Sequence, residues 1–225
     1  MQPGTTDAHA LLARIEDAAL AAAELIRARA RDRAHITWRE KSATDFVSDV
    51  DTGAERIIRD ALLGAYPDAR ILGEELSPDV AAGAPLAFIV DPLDGTTNFL
   101  HGYPEYAVSI AAAVRGARVA GVVIEVPTGN RYTATQGGGA HCDGEPISVS
   151  RIDDPSRALI GTGFPFKDVE PLAIYQRQFA AVARGTAGMR RAGSAALDLV
   201  SVACGHFDAF WELSLAPWDF AAGIL

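Results

Sequence analysis

The chain has 225 residues, 49% hydrophobic and 22% charged, which allows one sizeable domain or two lobes sharing a core and argues against disorder. Its net charge of -9 at pH 7 speaks against general attraction to nucleic acid or to an anionic membrane. No apolar run reaches the ~18 residues that span a bilayer, and MQPGTTDAHA lacks a charged n-region and h-region, so no signal peptide is expected; Cys142 and Cys204 have neither metal-type spacing nor a disulfide framework, so a reducing cytoplasm is expected.

From Ala8 to about Arg33, apolar Leu11, Leu12, Ile15, Ala19, Ala22 and Ile26 recur at helical spacing and predict a long first helix. Arg27, Arg29, Arg31 and Arg33 fall at its end, where solvated cations oppose the negative terminus. A polar stretch from Trp38 to Asp49 precedes a second helix over Thr52 to about Leu63, with Asp51 placed as an N-cap would be. Beyond Pro67 come short β-type runs at 70–72, 86–90, 106–114, 119–126 and 147–150, punctuated by Gly137-Gly138-Gly139 and Asp143-Gly144. Their spacing predicts an antiparallel meander. After Arg151 the pattern alternates: strand 158–161, helix 171–183, strand 188–191, helix 195–204, strand 207–212, and a helix opening near Ala216. That alternation predicts α/β layering. The expected fold is a layered α/β sandwich with two sheets, residues 1–151 forming an N-terminal α+β lobe and 152–225 a C-terminal α/β lobe.

The most informative segment is Leu86 to Phe99, LAFIVDPLDGTTNF. A buried strand delivers Asp91 and Asp94 to its C-terminal end, where open α/β sheets bind ligands. Asp91 precedes proline and is biased to extended backbone. Asp94 follows after a turn, so both acids can converge on one cation. Gly95 permits a backbone angle that other residues resist, and the Gly95 and Thr96 amides could then point at a phosphate oxygen. Read alone, Asp94-Gly95 between apolar runs is equally a hairpin turn.

The complete string DPLDGTTNF resembles the metal-binding signature of the inositol monophosphatase family. Three more segments match in order: Ile71-Leu72-Gly73-Glu74-Glu75, Lys41 through Asp51 (KSATDFVSDVD), and Trp218-Asp219-Phe220-Ala221-Ala222-Gly223. The resemblance covers nearly the entire chain and implies a layered αβαβα sandwich of the sugar-phosphatase type. It implies that Glu74, Asp91 and the Leu93 carbonyl hold a first Mg²⁺, that Asp91, Asp94 and Asp219 hold a second, and that a weak third lies near Glu74. Thr96 and Asp51 would orient and deprotonate the metal-activated water, although Asp51 could also be only a helix cap. Five carboxylates in one cleft would raise one another's pKa values unless cations neutralise them. Oxygen donors without imidazole or thiolate suit Mg²⁺, with Mn²⁺ or Ca²⁺ able to compete.

The resemblance also implies a small-molecule phosphate ester as partner, with Asp94, Gly95, Thr96, Ser194, Ala195, Glu212 and Asp219 around it, and a homodimer inhibited by lithium through the second metal position. Glu212 ends the apolar run HFDAFWE, where a buried acid needs either polyol hydroxyls or a structural salt bridge. Gly161 to Phe166 (GTGFPF) resembles a stretch of bacterial inositol-1-phosphatases; Phe166 stands where a dinucleotide fingerprint needs its third glycine. The expected activity is hydrolysis of inositol 1-phosphate. Histidinol phosphate, fructose 1,6-bisphosphate and adenosine 3′,5′-bisphosphate remain open as substrates, as does a protein-partner role in transcription. PWDFAAGIL reads as a helix just begun, so further sequence and a weakened Asp219 site are expected.

Overall fold

A computed structural model describes residues 7–42, 45–78, 84–165 and 170–225; Ala43, Thr44 and Phe166 of the segments above lie outside them. Helix α1 (Ala8–Ala30) is capped by Asp7, whose carboxylate accepts the His9 N–H. It buries Leu11, Ile15, Ala18, Ala19, Ala22, Ala23 and Ile26, one face of a 3.6-residue repeat. Its basic end is only partly solvated. Arg27 Nε donates to the Val126 carbonyl at 2.8 Å and Arg29 pairs with Asp49 at 2.7 Å.

The polar stretch after α1 is a hairpin, β1 (Trp38–Ser42) against β2 (Asp45–Ser48), with Trp38 edge-on to Phe46. Its charged residues hid the strand pattern. Helix α2 (Asp49–Ala65) begins three residues earlier than expected because Ser48, not Asp51, is its N-cap. Asp51 stands at the third helical position and closes a capping box, its carboxylate accepting the Ser48 N–H at 2.9 Å. The buried stripe of α2 is Val50, Asp51, Ala54, Glu55, Ile58 and Leu62, so two carboxylates ride on an apolar face.

Strands β3 (Arg70–Gly73), β4 (Leu86–Asp94), β5 (Ala107–Val114), β6 (Ala117–Glu125), β7 (Arg131–Thr135), β8 (Gly139–Cys142) and β9 (Glu145–Pro146) form one sheet in chain order. It is a meander from β4 onward, but β3 runs parallel to β4. Strands β7 and β8 were not anticipated, and 147–150 carries no strand; Ile147 keeps a single ladder-like bond to Ala140. Strand β5 is buried on both faces, so alternation sorts its residues: Val108, Ile110 and Ala112 face α1 and α2, whereas Ala107 and Ala111 belong to a second core. That second core is completed by Ala196, Leu197 and Val200 of α5 (Ala195–Ala203) and by Ala221 and Ala222 just after α6 (Pro217–Phe220). Small residues on both sides permit the close approach: a Cβ on Gly121 would sit 3.0 Å from the Ala222 carbonyl.

A second, three-stranded parallel sheet has the order β11 (Gly188–Arg190), β10 (Leu159–Thr162), β12 (Ala209–Trp211). Helix α4 (Leu172–Ala183) lies against it, with Tyr175 stacked on Trp211 and its hydroxyl 3.2 Å from Thr162 Oγ1. The layers are helices, seven-stranded sheet, helices, three-stranded sheet and helix, the layered sandwich anticipated above. No helix among the described residues is long and apolar enough to cross a membrane.

Candidate active site

The two motif aspartates sit on β4 three residues apart, which in a regular strand turns them to opposite faces. A bulge changes this. Asp91 pairs with Ser109 and Asp94 with Ala107, so β4 carries one extra residue there and its last carboxylate is re-aimed. Both then line one cavity of about 460 Å³ at the strand's C-terminal end. Gly95 follows with φ of +94°, and a Cβ there would also strike the Glu105 carbonyl at 2.8 Å. This turn opens the short helix α3 (Thr96–His101).

The cavity brings together Glu74, Asp91, Leu93, Asp94, Gly95, Thr96, Ala195, Glu212 and Asp219. Asp51 and Ser194 stand behind its wall, each reached through one lining residue. Thr96 Oγ1 lies 2.7 Å from Asp51 Oδ1 and 3.0 Å from the Leu93 carbonyl, and its single proton can go to only one of them at a time. Asp51 is 1% exposed, its other oxygen held by Ser48 through both backbone N–H and hydroxyl. Burial pushes the Asp51 carboxyl above its ordinary range; the bonds from Ser48 and Thr96 oppose this and the charge of Glu74 adds to it.

The other carboxylates are oriented by backbone. The Leu93 N–H donates to Asp91 Oδ1 at 3.0 Å, and the Ala216 N–H to Asp219 Oδ2 at 2.6 Å. Asp94 Oδ2 accepts from the Ser194 hydroxyl at 2.6 Å and the Ala196 N–H at 2.7 Å, bonds that span about a hundred residues of sequence. Ser194 is therefore turned to Asp94 and not to the cavity. Glu212 packs on bare backbone: a Cβ on Gly163 would fall within 2.1 Å of its carboxylate, which accounts for the glycine in that stretch.

Among the described lining residues the donor set is all oxygen, five acids and a carbonyl without imidazole or thiolate, and this chemistry fits a hard divalent cation. Among the described residues no three acidic, histidine or cysteine side chains form a ready cluster around one point, and the Leu93 carbonyl would complete a smaller acid set.

Sequence reasoning missed four residues here. Among the described lining residues Arg191 is the one lysine or arginine, its guanidinium 4.5 Å from the centre of the Phe164 ring. Asn98 lines the cavity and directs its amide at the carbonyls of Glu105 (2.7 Å), Ala192 (3.0 Å) and Gly193 (3.3 Å). Asp198 is 1% exposed, and its Oδ1 has no hydrogen-bond partner among the described residues. Burial first, then the charges of Asp94, Glu212 and Glu105, push its carboxyl up to about 8, with Arg191 opposing. Glu55 is wholly buried beneath the Glu74 turn. A string match to metal ligands carries no signal for groups that act through neighbours distant in sequence; Asn98 alone stood within the quoted motif.

Comparison with known proteins decides the family. The profile of the inositol monophosphatase family matches residues 7–225. The chain belongs to the inositol monophosphatase family. It is 45% identical over 194 residues to Nus factor SuhB of Pseudomonas aeruginosa, covering 84% of this chain and 72% of that one. Inositol-1-monophosphatase of Rhizobium meliloti is also 45% identical, over 185 residues, with 82% and 70% covered. The crystal structure of extragenic suppressor protein SuhB from Bartonella henselae superposes with a TM-score of 0.90 at 38% identity, covering 96% of this chain and 83% of that one. Membership supports a phosphatase of this family, whose members act on small phosphate esters and are generally dependent on Mg²⁺.

Proposed function

We propose that this phosphatase hydrolyses the monophosphate of a small polyol or sugar, inositol 1-phosphate foremost. One observation carries the reading: carboxylates from four separate chain segments, Glu74, Asp91 with Asp94, Glu212 and Asp219, meet in one cavity beside the Thr96–Asp51 pair. Glu74, Asp91, Asp94, Asp219 and the Leu93 carbonyl would hold two or three magnesium ions. Bound there, magnesium supplies positive charge against the phosphate and the departing alkoxide.

The chain's own residues do the rest. Thr96, which lines the cavity, hands its hydroxyl proton to Asp51 Oδ1 as it takes one from the attacking water. Burial raises the affinity of Asp51 for that proton, and Ser48 keeps the carboxylate from rotating away. Water oxygen bonds to phosphorus, the ester oxygen leaves on the opposite side, and solvent protonates the alkoxide. The Gly95 and Thr96 backbone borders the phosphate. Glu212, across the cavity, accepts hydroxyl protons of the polyol, and Ala195 leaves room for a ring.

Phosphate release with Mg²⁺ from inositol 1-phosphate, histidinol phosphate, fructose 1,6-bisphosphate and adenosine 3′,5′-bisphosphate tests the reading. The highest kcat/KM is expected for inositol 1-phosphate. Preference for a nucleotide or a bisphosphate would overturn the substrate class, and turnover that survives chelation would overturn the metal assignment.

A second reading has one observation in its favour, the name Nus factor carried by a relative at 45% identity. A partner role in transcription predicts stoichiometric capture of transcription proteins from native extract by an Asp94→Asn variant. A purely catalytic protein retains none.

A further inference from the structure

The turn that carries Glu74 is short, polar and at the cavity rim, yet it is tied down along its whole length. The Glu74 N–H donates to the Val90 carbonyl at 3.3 Å, and the Gly73 N–H to the Ser77 carbonyl at 2.9 Å. The next two amides, those of Glu75 and Leu76, donate to Glu55 Oε2 at 2.7 Å and Oε1 at 3.1 Å. One turn further along α2, Arg59 Nη1 donates to Ser77 Oγ at 2.7 Å. Asp51, Glu55 and Arg59 thus form an i, i+4, i+8 row on one helix. Its first member bonds Thr96, and the other two bond the loop that carries Glu74.

Glu55 has no exposed surface, and a buried carboxylate is costly unless its oxygens are satisfied. Here the two amides satisfy one oxygen each. The fit leaves no slack on the other side: a Cβ on Gly73 would lie 2.2 Å from Glu55 Oε1 and 2.7 Å from its Cδ. A side chain that approaches the strand only because Gly73 has none, and that spends both oxygens on consecutive amides, is placed to dictate the shape of the turn.

We propose that Glu55 is a positioning residue for Glu74, holding the 74–76 turn in its ion-receiving shape before any ion arrives. The inference rests on the reading of Glu74 as a metal-holding group. Without Glu55 the turn must be ordered by the cation itself, so affinity falls while the chemistry at saturating cation persists.

The test is Mn²⁺ binding to the full chain, followed by calorimetry and by the spin-resonance signal of free Mn²⁺. It compares the wild type with Glu74→Gln, Glu55→Gln, Gly73→Ala and, as a control of fold stability alone, Leu62→Ala. In Glu55→Gln an NH₂ group replaces one acceptor and meets an amide N–H, and in Gly73→Ala the new methyl displaces the carboxylate. Both are expected to weaken Mn²⁺ binding about 10-fold or more, to raise the Mg²⁺ needed for half-maximal activity in proportion, and to keep kcat at saturating Mg²⁺ within a few-fold. Leu62→Ala should lower Tm and leave Mn²⁺ affinity unchanged. Wild-type affinity in a folded Glu55→Gln with a lowered Tm would reduce Glu55 to a structural residue and overturn the proposal. Unchanged affinity in Glu74→Gln would instead overturn the ligand assignment. If Glu55→Gln does not fold, amide exchange in the wild type decides: the Glu75 and Leu76 amides should be protected in chelator, and exchange there at the rate of an open loop overturns the proposal.

Discussion

The cavity has two sides built by different means. On one, Asp51, Glu74, Asp91, Leu93, Asp94 and Thr96 come from a span of under fifty residues and are fixed by a parallel strand pair, a bulge, a capping box and one buried glutamate. On the other, Arg191 and Glu212 follow the ends of short parallel strands, Ala195 opens α5 and Asp219 lies on a four-residue helix. Bonds that tie the second side to the first include those of Asp94 to Ser194 and Ala196 and those of Asn98 to the 192–193 backbone. The difference teaches a division of labour. Short-range bonds aim Asp51, Asp91 and Asp219, whereas hydrogen bonds over about a hundred residues aim Asp94 and align the two sides.

The harshest way to break that division is Asp94→Asn, which removes a charge from the first side and leaves one amide oxygen to hold both links to the second. Asparagine keeps a single acceptor, so it cannot reproduce both the charge and the shared oxygen. Turnover should fall by ~10²-fold or more with the circular dichroism spectrum retained; near-wild-type kcat would show that the site is misassigned. Thr96→Ala comes next. It cuts the path from the cavity to Asp51 while leaving the second side intact, so kcat should drop ~10²-fold with KM little changed, and Thr96→Ser should recover most of it.

Asp198 separates the two sides by pH, since its carboxyl is raised to about 8 by burial and by acids from both of them. The sign follows from proton binding: between the unfolded value near 3.8 and about 8 the folded chain binds the proton more tightly, so stability falls as pH rises through that window. In chelator, Asp198→Asn should match the wild type near pH 4 and melt ~5 °C higher at pH 8; parallel melting curves across that range would mean the acid is not held neutral. The mildest expected effect is that of Ser194→Ala, which loses the α5 cap and one bond to Asp94. Stability should fall by ~1 kcal/mol, and the loss should appear in KM more than in kcat.

The helical periodicity of α1, the turn chemistry of Gly95 and the motif acids were legible because each depends on residues a few places apart. So were the alternating strands and helices after residue 158, and with them the layered fold. The hairpin at 38–48 was not, since its strands are short and charged, with Trp38, Arg39 and Glu40 exposed, and register there comes from pairing instead of from hydrophobic alternation. Asp51 read as a cap because capping residue and third position share the same chemistry; only the Ser48 geometry tells them apart.

What the sequence by itself determined is which acids stand at strand and helix ends, and hence that an oxygen-donor phosphatase site can form. What only the tertiary structure decided is how they are aimed. The extra residue in β4 turns Asp91 and Asp94 to one face, an oxygen of Asp94 is claimed by α5 from a hundred residues away, and Gly73 makes room for Glu55 beneath Glu74. Burial and pairing between distant segments leave no periodic trace along a chain, because the energy of such contacts depends on which surfaces meet in space and not on the spacing of residues along it.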